Sequence, residues 1–279
     1  TWLFGLQGVA AMEEGIGMTR NDRIVSRNKI RQRKSYRVRS APNMKIAPQG
    51  LNVQVRKQSL MLDDSNPKTR QLAQQIYLEG NTDRQKMEMM LGYYNQQNFR
   101  YTLQPELMND NDIDQFLFTN RAGFCAHYAS SFVFVMRTMN IPSRIVAGYQ
   151  GGDYNAETGL ITVRQYDAHA WVEVWLKGEG WISVDPTAQV APDRISLGIR
   201  SAIDDEEFLT DSNFSLIKLS GLPWINDLRL ALDQLNYEWH QTVLSFNKEK
   251  QSEQLKEWFG QGALKKSLYW LAGLFILVF

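Results

Sequence analysis

The residue of this chain best suited to act as a nucleophile is Cys125, the only cysteine present. Gly123 lies just before it, and apolar residues recur at three- and four-residue spacing from Ala129 to Met139, which predicts a helix that begins close to the cysteine. Free backbone N–H groups and the helix dipole favour negative charge at such a helix start, so they lower the pKa of a thiol. A lone cysteine is more often a buried structural residue, and a catalytic role therefore requires partners.

The partners that a nucleophilic cysteine needs are a base that takes its proton and a group that orients the base. Of the three histidines, His127 follows Cys125 by two positions on the same predicted helix, where side chains do not face each other. His240 belongs to a later amphipathic segment. His169 remains, on a predicted strand, and Asp185 ends the next predicted strand. If these strands pair, the carboxylate reaches the imidazole, and Cys125, His169 and Asp185 form a triad of papain type.

Metal chemistry is the main alternative for these residue types, because Cys, His and Asp all bind zinc. The sequence contains no C-x-x-C or H-E-x-x-H pattern of the kind that metal sites use. The acidic run of Asp110, Asp112 and Asp114 resembles the start of a calcium loop, but Gln115 and Arg121 occupy the positions that require glycine and glutamate. We therefore predict no metal site and no cofactor, and we interpret the acidic run as a solvated turn or a helix start.

The elements that would carry the triad follow from periodicity and turn residues. Asn66 and Pro67 predict the start of a helix that ends at Gly80, and a second helix is predicted from about Asp83 to Tyr94. Short turns separate the segments after the cysteine helix, which favours antiparallel hairpins over parallel crossovers. The predicted strands are residues 33–39, 51–56, 144–149, 160–163, 168–175 and 181–185. A helical part with the cysteine and an antiparallel sheet with the histidine and aspartate predict an α+β fold.

Composition argues against a nucleic-acid partner and indicates four segments along the chain. The 31 Lys and Arg residues nearly balance the 30 Asp and Glu residues, so no nucleic-acid partner is predicted. The run from Ser267 to Phe279 is uncharged and mostly apolar but shorter than the roughly 20 residues of a spanning helix, so we interpret it as the start of one. The predicted segments are residues 1–62 (N-terminal, mostly β), 63–200 (catalytic domain), 201–264 (amphipathic helical linker) and 265–279 (start of a transmembrane helix).

Four sequence blocks resemble the core of the transglutaminase-like superfamily. They occur in order between about residues 67 and 190 and read Arg121-x-Gly-x-Cys125-x-x-Tyr128-Ala-Ser, Ile141-Pro-Ser-Arg144-Ile-Val-x-Gly148-Tyr, Asp167-Ala-His169-Ala-Trp-Val-Glu and Gly180-Trp-Ile-Ser-Val-Asp185-Pro-Thr. In that family the cysteine of the first block is the nucleophile, the histidine of the third is the base and the aspartate of the fourth orients the base. The resemblance therefore implies a papain-like transglutaminase core with Cys125, His169 and Asp185 in these roles.

The layout of the C-terminal part resembles that of bacterial membrane proteins of the TgpA type. Leu235-Asn-Tyr-x-Trp239 is followed by a stretch rich in Lys, Glu and Gln and then by the apolar end. Proteins of this type have N-terminal transmembrane helices, an extracytoplasmic transglutaminase-like domain and a final transmembrane helix. The resemblance implies a catalytic domain on the periplasmic side of a bacterial inner membrane, with membrane attachment through the C-terminal helix.

The function that these features predict is cysteine-dependent acyl transfer on carboxamides through a thioester, from protein glutamine to an amine. Two alternatives remain: a cysteine protease or amidase that uses the same triad with water as acceptor, and a non-catalytic binding module of the same fold. The expected partners are protein or peptide substrates. Tyr128, Tyr166 and Trp171 are predicted to line the substrate cleft, and the Cys125 N–H is the one oxyanion donor that the sequence indicates.

Overall fold

The computed structural model describes residues 1–196. They belong to one compact unit, Thr1–Thr210, and contain both α-helices and short β-strands. The helices are α1 (Val53–Ser59), α2 (Pro67–Glu79), α3 (Asp83–Gln96), α4 (Asp112–Gln115), α5 (Cys125–Thr138) and α6 (Pro192–Ser196). The strands are β1 (Val9–Met12), β2 (Ile16–Met18), β3 (Ile24–Ser26), β4 (Val38–Ser40), β5 (Arg100–Tyr101), β6 (Ala122–Gly123), β7 (Ser143–Tyr149), β8 (Asp153–Asn155), β9 (Leu160–Thr162), β10 (Ala168–Leu176) and β11 (Gly180–Val184).

Two predicted segments lie outside this described part. These are the linker segment 201–264, which contains His240, and the predicted start of a transmembrane helix at 265–279. Within residues 1–196, no helix combines the length and the apolar character that crossing a membrane requires.

The central sheet has the strand order β11–β10–β7 and is antiparallel. β10 is its middle strand: His169 pairs with Gly148 of β7, and Val172 pairs with Val184 of β11. The connection between β10 and β11, residues 177–179, is a short hairpin. This arrangement confirms the antiparallel pairing and the α+β class predicted from the turn spacing.

The inner face of this sheet packs on α5. Successive residues of a strand point to opposite faces, so every second residue of β10 lies on this inner face. Val172, Val174 and Leu176 of β10 are buried in one cluster with Phe132 and Met136 of α5. The helix that begins with the cysteine therefore lies directly against the strand that carries His169.

The outer face is covered by the N-terminal segment. The indole N–H of Trp175 donates to the Ala47 carbonyl (2.9 Å), and the backbone N–H of Trp181 donates to the Ile46 carbonyl (2.9 Å). Backbone carbonyls of the N-terminal segment thus satisfy donors on β10, which carries His169, and on β11, which leads to Asp185.

Two predicted strands of the N-terminal segment differ from the structure. The alternating pattern of residues 51–56 predicts a strand, and this prediction is wrong because the segment contains α1. Asn52 caps this helix by accepting a hydrogen bond from the Gln54 N–H (2.9 Å), and Val55 is buried while Val53 is 84% exposed. The predicted strand 33–39 is reduced to β4, which pairs with β1.

The helix boundaries predicted around residue 67 are confirmed. α2 begins at Pro67, where a helix does not need the missing N–H, and it ends at Glu79, directly before Gly80. α3 begins at Asp83, and the Thr82 hydroxyl oxygen accepts a hydrogen bond from the Gln85 N–H (3.1 Å). Proline at the first helical position marks the start of α2, and a local side-chain cap marks that of α3.

The acidic run does start a helix, α4, at Asp112, but the expectation of solvation is wrong for Asp114. This residue is buried and accepts hydrogen bonds from the Lys68 N–H (3.0 Å), the Thr69 N–H (2.7 Å) and the Thr69 hydroxyl (2.6 Å). A carboxylate at a helix N-terminus stabilises the free N–H groups and the helix dipole. Asp114 therefore caps α2 from a distant part of the chain, which local sequence patterns do not reveal.

Replacing Asp114 with alanine is expected to lower the free energy of unfolding by about 2–3 kcal/mol, because buried donors at the start of α2 lose their acceptor. Asp110→Ala, at an exposed position of the same run, is the matched control, with an expected change below about 0.5 kcal/mol. Urea denaturation of both variants measures the difference. Equal stability of the two variants would show that α2 does not depend on this carboxylate.

Candidate active site

Cys125 is the first residue of α5 and is largely buried, with 9% of its surface exposed. The segment before it, β6, pairs in parallel with β5, so the chain enters the helix in a defined direction. Gly123 is needed in β6 because a Cβ atom there would lie 2.9 Å from Cγ of His127. The structure thus places the thiol at the N-terminus of a buried helix, at the predicted junction.

His127 caps the start of α5. Its Nδ1 accepts a hydrogen bond from the Phe124 N–H (3.3 Å), one of the backbone donors that a helix start leaves free. The imidazole packs against the rings of Phe124 and Phe116, at centroid distances of 4.4 and 5.7 Å, and burial lowers its pKa. The helix cap therefore accounts for His127, and no role as a catalytic base is needed to explain it.

The structure brings His169 and Asp185 together. Nε2 of His169 lies 2.6 Å from Oδ2 of Asp185, and the imidazole is fully enclosed by protein. The other carboxylate oxygen, Oδ1, accepts a hydrogen bond from the Thr187 N–H (3.0 Å). Pairing of β10 with β11 and the turn at Pro186 therefore hold the carboxylate against one specific nitrogen of the imidazole.

Cys125 and His169 affect each other's protonation. Nδ1 of His169 is buried and makes no hydrogen bond of standard geometry among the described residues, which leaves it for the thiol. Burial alone would lower the pKa of His169, but its interactions with Asp185 and Cys125 outweigh burial and raise the pKa to about 9. Burial also opposes ionisation of the thiol, yet the interaction with His169 lowers the pKa of Cys125 below its ordinary value. The pair therefore favours a thiolate and an imidazolium.

Two further groups stabilise negative charge on the sulfur. The backbone N–H of Ala170 and the guanidinium of Arg194 both act to lower the pKa of Cys125. Arg194 is fully buried, and its Nη2 donates to the carbonyl of Ala168 (3.1 Å). A positive charge is therefore fixed close to the thiol, in addition to the imidazolium.

The three aromatic residues predicted to line the cleft lie in different environments. Tyr128 is fully buried, and its hydroxyl donates to a backbone carbonyl 2.7 Å away, so its assignment to the cleft is wrong and it belongs to the core. Tyr166 is half-buried in a short turn that leads into β10. The ring of Trp171 lies beside that of His169, with centroids 6.3 Å apart and planes inclined by 19°. Substrate binding by Tyr166 and Trp171 stays a prediction.

Sequence reasoning missed two residues beside Cys125, Tyr101 and Arg194. Tyr101 belongs to a strand of two residues, too short for a periodic pattern, and Arg194 lies in the short helix α6. No spacing rule connects either residue with Cys125. The short stretch of β pairing that aligns Tyr101 with Gly123 becomes visible only in the folded chain.

Known proteins of solved structure are similar to this chain. The crystal structure of the periplasmic domain of TgpA from Pseudomonas aeruginosa is 39% identical, covers 72% of this chain and 70% of that chain, and superposes with a TM-score of 0.69. The ethylmercury-bound form of that domain is 40% identical, with 70% coverage of both chains and a TM-score of 0.67. A family model described as the transglutaminase-like superfamily matches residues 70–186. The chain belongs to the transglutaminase-like superfamily.

Two bacterial proteins are also similar to this chain in sequence. A protein-glutamine gamma-glutamyltransferase of Pseudomonas aeruginosa is 40% identical over 261 residues, which are 93% of this chain and 39% of that protein. YebA of Bacillus subtilis, whose function is uncharacterised, is 32% identical over 136 residues, 46% of this chain and 18% of that protein. The chain therefore spans well under half the length of these relatives. The transglutaminase-like match contains Cys125, His169 and Asp185, which confirms the family and fold predicted from the four blocks.

Proposed function

We propose that this domain catalyses cysteine-dependent acyl transfer on carboxamides, with protein glutamine as donor and a primary amine as acceptor. The observation that carries the proposal is the buried contact of 2.6 Å between His169 and Asp185, beside a thiol at a helix start. The substrate class is supported by the Pseudomonas relative, named a protein-glutamine gamma-glutamyltransferase. Nucleophile, base and orienting group are all protein side chains, so no cofactor is required.

In the first half-reaction, the Cys125 thiolate attacks the carbonyl carbon of the carboxamide. A C–S bond forms, and the carbonyl electron pair moves to oxygen. When the tetrahedral intermediate collapses, the C–N bond breaks, and the imidazolium of His169 gives its Nδ1 proton to the leaving nitrogen. Ammonia departs and a thioester remains. Asp185 stays negatively charged and holds the imidazole through Nε2, which stabilises the protonated ring.

In the second half-reaction, a primary amine attacks the thioester and the neutral His169 takes its proton. The C–S bond breaks, the thiolate re-forms, and the product is a secondary amide that links donor and acceptor. Water follows the same path and gives a carboxylic acid. Access of the acceptor and exclusion of water determine which product dominates.

A glutamine-containing protein and a labelled primary amine separate the candidate functions. Transamidation releases ammonia and attaches the label to protein. Hydrolysis releases ammonia, converts glutamine to glutamate and leaves the label free. A binding module does neither. Label attachment that requires Cys125 would support the proposal, and the absence of both products with several protein donors would refute it.

The rate of Cys125 alkylation is expected to rise at a lower pH than that of a free thiol, because His169, the Ala170 N–H and Arg194 stabilise the thiolate. Cys125 is the only cysteine, so alkylation by iodoacetamide reports on one site. The same chain unfolded in guanidinium chloride provides the reference, with a midpoint expected near the free-thiol value of about 8.5. Coincident midpoints in the folded and unfolded chains would contradict an activated nucleophile.

Acyl transfer is expected to decline on the alkaline side at about pH 9, where His169 loses its proton. The pKa of this group is raised, so the imidazolium that protonates the leaving nitrogen is present below that pH and lost above it. A pH profile of label attachment therefore has an acid limb from Cys125 and an alkaline limb from His169. Activity that keeps rising well beyond pH 9 would contradict the role of His169 as proton donor.

We also propose that the domain lies in the periplasm and that residues 265–279 begin a helix that attaches it to the inner membrane. The first part is supported by the similarity to the periplasmic domain of Pseudomonas TgpA. The second part rests on the uncharged, apolar character of Ser267 to Phe279, which lie outside the described residues.

A further inference from the structure

Acyl transfer needs donors aimed at the oxygen that becomes negative in the tetrahedral intermediate, and Tyr101 lies where a second donor is required. The Cys125 N–H at the helix start supplies the first. β5 and β6 pair in parallel, with Tyr101 opposite Gly123, and the Thr102 N–H donates to the Gly123 carbonyl (3.0 Å). This register places Tyr101 beside the segment that leads directly into the nucleophile.

The hydroxyl of Tyr101 faces both Cys125 and Arg194. The Cys125 N–H and the Arg194 guanidinium interact with the phenol oxygen, and the thiol is close enough to affect its charge. Burial and the charge on Cys125 raise the pKa of Tyr101 to about 12, so the phenol keeps its proton at neutral pH and can donate it in a hydrogen bond. The side chain is half-buried rather than enclosed in the core.

Arg194 lies behind this hydroxyl. It is fully buried, and its Nη2 is held by the carbonyl of Ala168 (3.1 Å), the residue before the base. Nε and Nη1 make no hydrogen bond of standard geometry among the described residues, and the phenol of Tyr101 is a polar group with which the guanidinium interacts. Burial of an unpaired donor on a charged group is costly, and negative charge at the reaction centre would offset that cost. The guanidinium is therefore placed to favour negative charge on the sulfur and on the carbonyl oxygen.

We infer that Tyr101 is a catalytic residue whose hydroxyl donates a hydrogen bond to the oxyanion of the tetrahedral intermediate, and that Arg194 is a positioning residue for that hydroxyl. The inference rests on the proposed acyl transfer. The carbonyl oxygen enters between the Cys125 N–H and the phenol, and the hydroxyl hydrogen points to it as negative charge develops. No proton is transferred in this step, because the phenol is a much weaker acid than the imidazolium of His169.

The test is the rate at which p-nitrophenyl acetate acylates Cys125 in the wild-type chain and in Tyr101→Phe. Acylation passes through an oxyanion, whereas alkylation by iodoacetamide displaces iodide without one. We expect Tyr101→Phe to lower the acylation rate by about 100-fold, the low end of the cost of losing one oxyanion donor, while the alkylation rate stays unchanged. Tyr77→Phe, which removes a hydroxyl from an exposed tyrosine of α2 (48% exposed), is the matched control and should change neither rate.

The possible results separate this inference from the proposed function. Equal or faster acylation in Tyr101→Phe than in an active wild-type chain would overturn the oxyanion role and leave the triad intact. A parallel loss of acylation and alkylation would assign Tyr101 to the structure of the site and would also overturn the role. Acylation of the wild-type chain no faster than that of Cys125→Ala would refute the proposed function itself.

The role of Arg194 is tested by a double-mutant cycle. Arg194→Lys keeps a positive charge near the thiol but loses the planar fork that holds the hydroxyl. We expect it to lower acylation about tenfold in the wild-type background and to have little further effect on Tyr101→Phe, as coupled residues do. Additive losses in the double variant would overturn the positioning role. Thermal unfolding of each variant shows whether a loss reflects the fold.

Discussion

Replacement of Cys125 with alanine is expected to abolish acyl transfer, with a loss of about 10⁵–10⁶-fold, because the residues of a triad act as a unit and none replaces the nucleophile. Every covalent step of the proposed reaction passes through its sulfur, and the chain has no other cysteine. The fold should persist, since alanine fits the first position of a helix and removes only one atom from the core edge. Ammonia release and label attachment measure the loss.

Cys125→Ser provides the companion to this variant. Serine keeps the shape of the side chain with an O–H in place of the S–H, but its hydroxyl does not ionise beside His169, because a thiolate forms at far lower pH than an alkoxide. We therefore expect a folded and inactive protein, with circular dichroism unchanged in both variants. Wild-type activity in Cys125→Ala would remove the nucleophile assignment and with it the proposed mechanism.

Replacement of His169 with alanine is expected to lower acyl transfer by about 10⁴-fold or more, because two functions are lost together. The thiolate loses the interaction that most lowers its pKa, and the leaving nitrogen loses its proton donor. His127→Ala is the matched control, since it removes the other imidazole of this part of the chain. We expect His127→Ala to be at least 100-fold more active than His169→Ala, with a stability loss of about 1 kcal/mol from the missing helix cap.

Two further outcomes make the histidine prediction specific. The alkylation midpoint of Cys125 should rise towards that of the unfolded chain in His169→Ala and stay low in His127→Ala. Asp185→Asn should retain more activity than His169→Ala, because an amide oxygen can still accept the hydrogen bond from Nε2, although it no longer raises the pKa of the imidazole by its charge. Full activity in His169→Ala combined with loss in His127→Ala would exchange the roles of the two residues.

Patterns within short stretches of sequence predicted much of the transglutaminase-like core. The start of α2 at Pro67 and the junction at Cys125 follow from proline preference and helical periodicity, which act between residues close in sequence. The pairing of the strands that carry His169 and Asp185 follows from the hairpin between them. The same reasoning failed for residues 51–56, because an alternating pattern does not show which of its apolar residues become buried.

By itself, the sequence determined the family and the α+β class and indicated the three residues of the proposed triad, because these depend on motifs, periodicity and short connections. Only the tertiary structure decided which polar groups from distant segments meet. It brought Asp114 to the start of α2, enclosed Tyr128 in the core, and placed Tyr101 and Arg194 beside Cys125. The physical reason is that such contacts are made by packing between elements far apart in sequence, and they require no local spacing that a reader of the sequence could recognise.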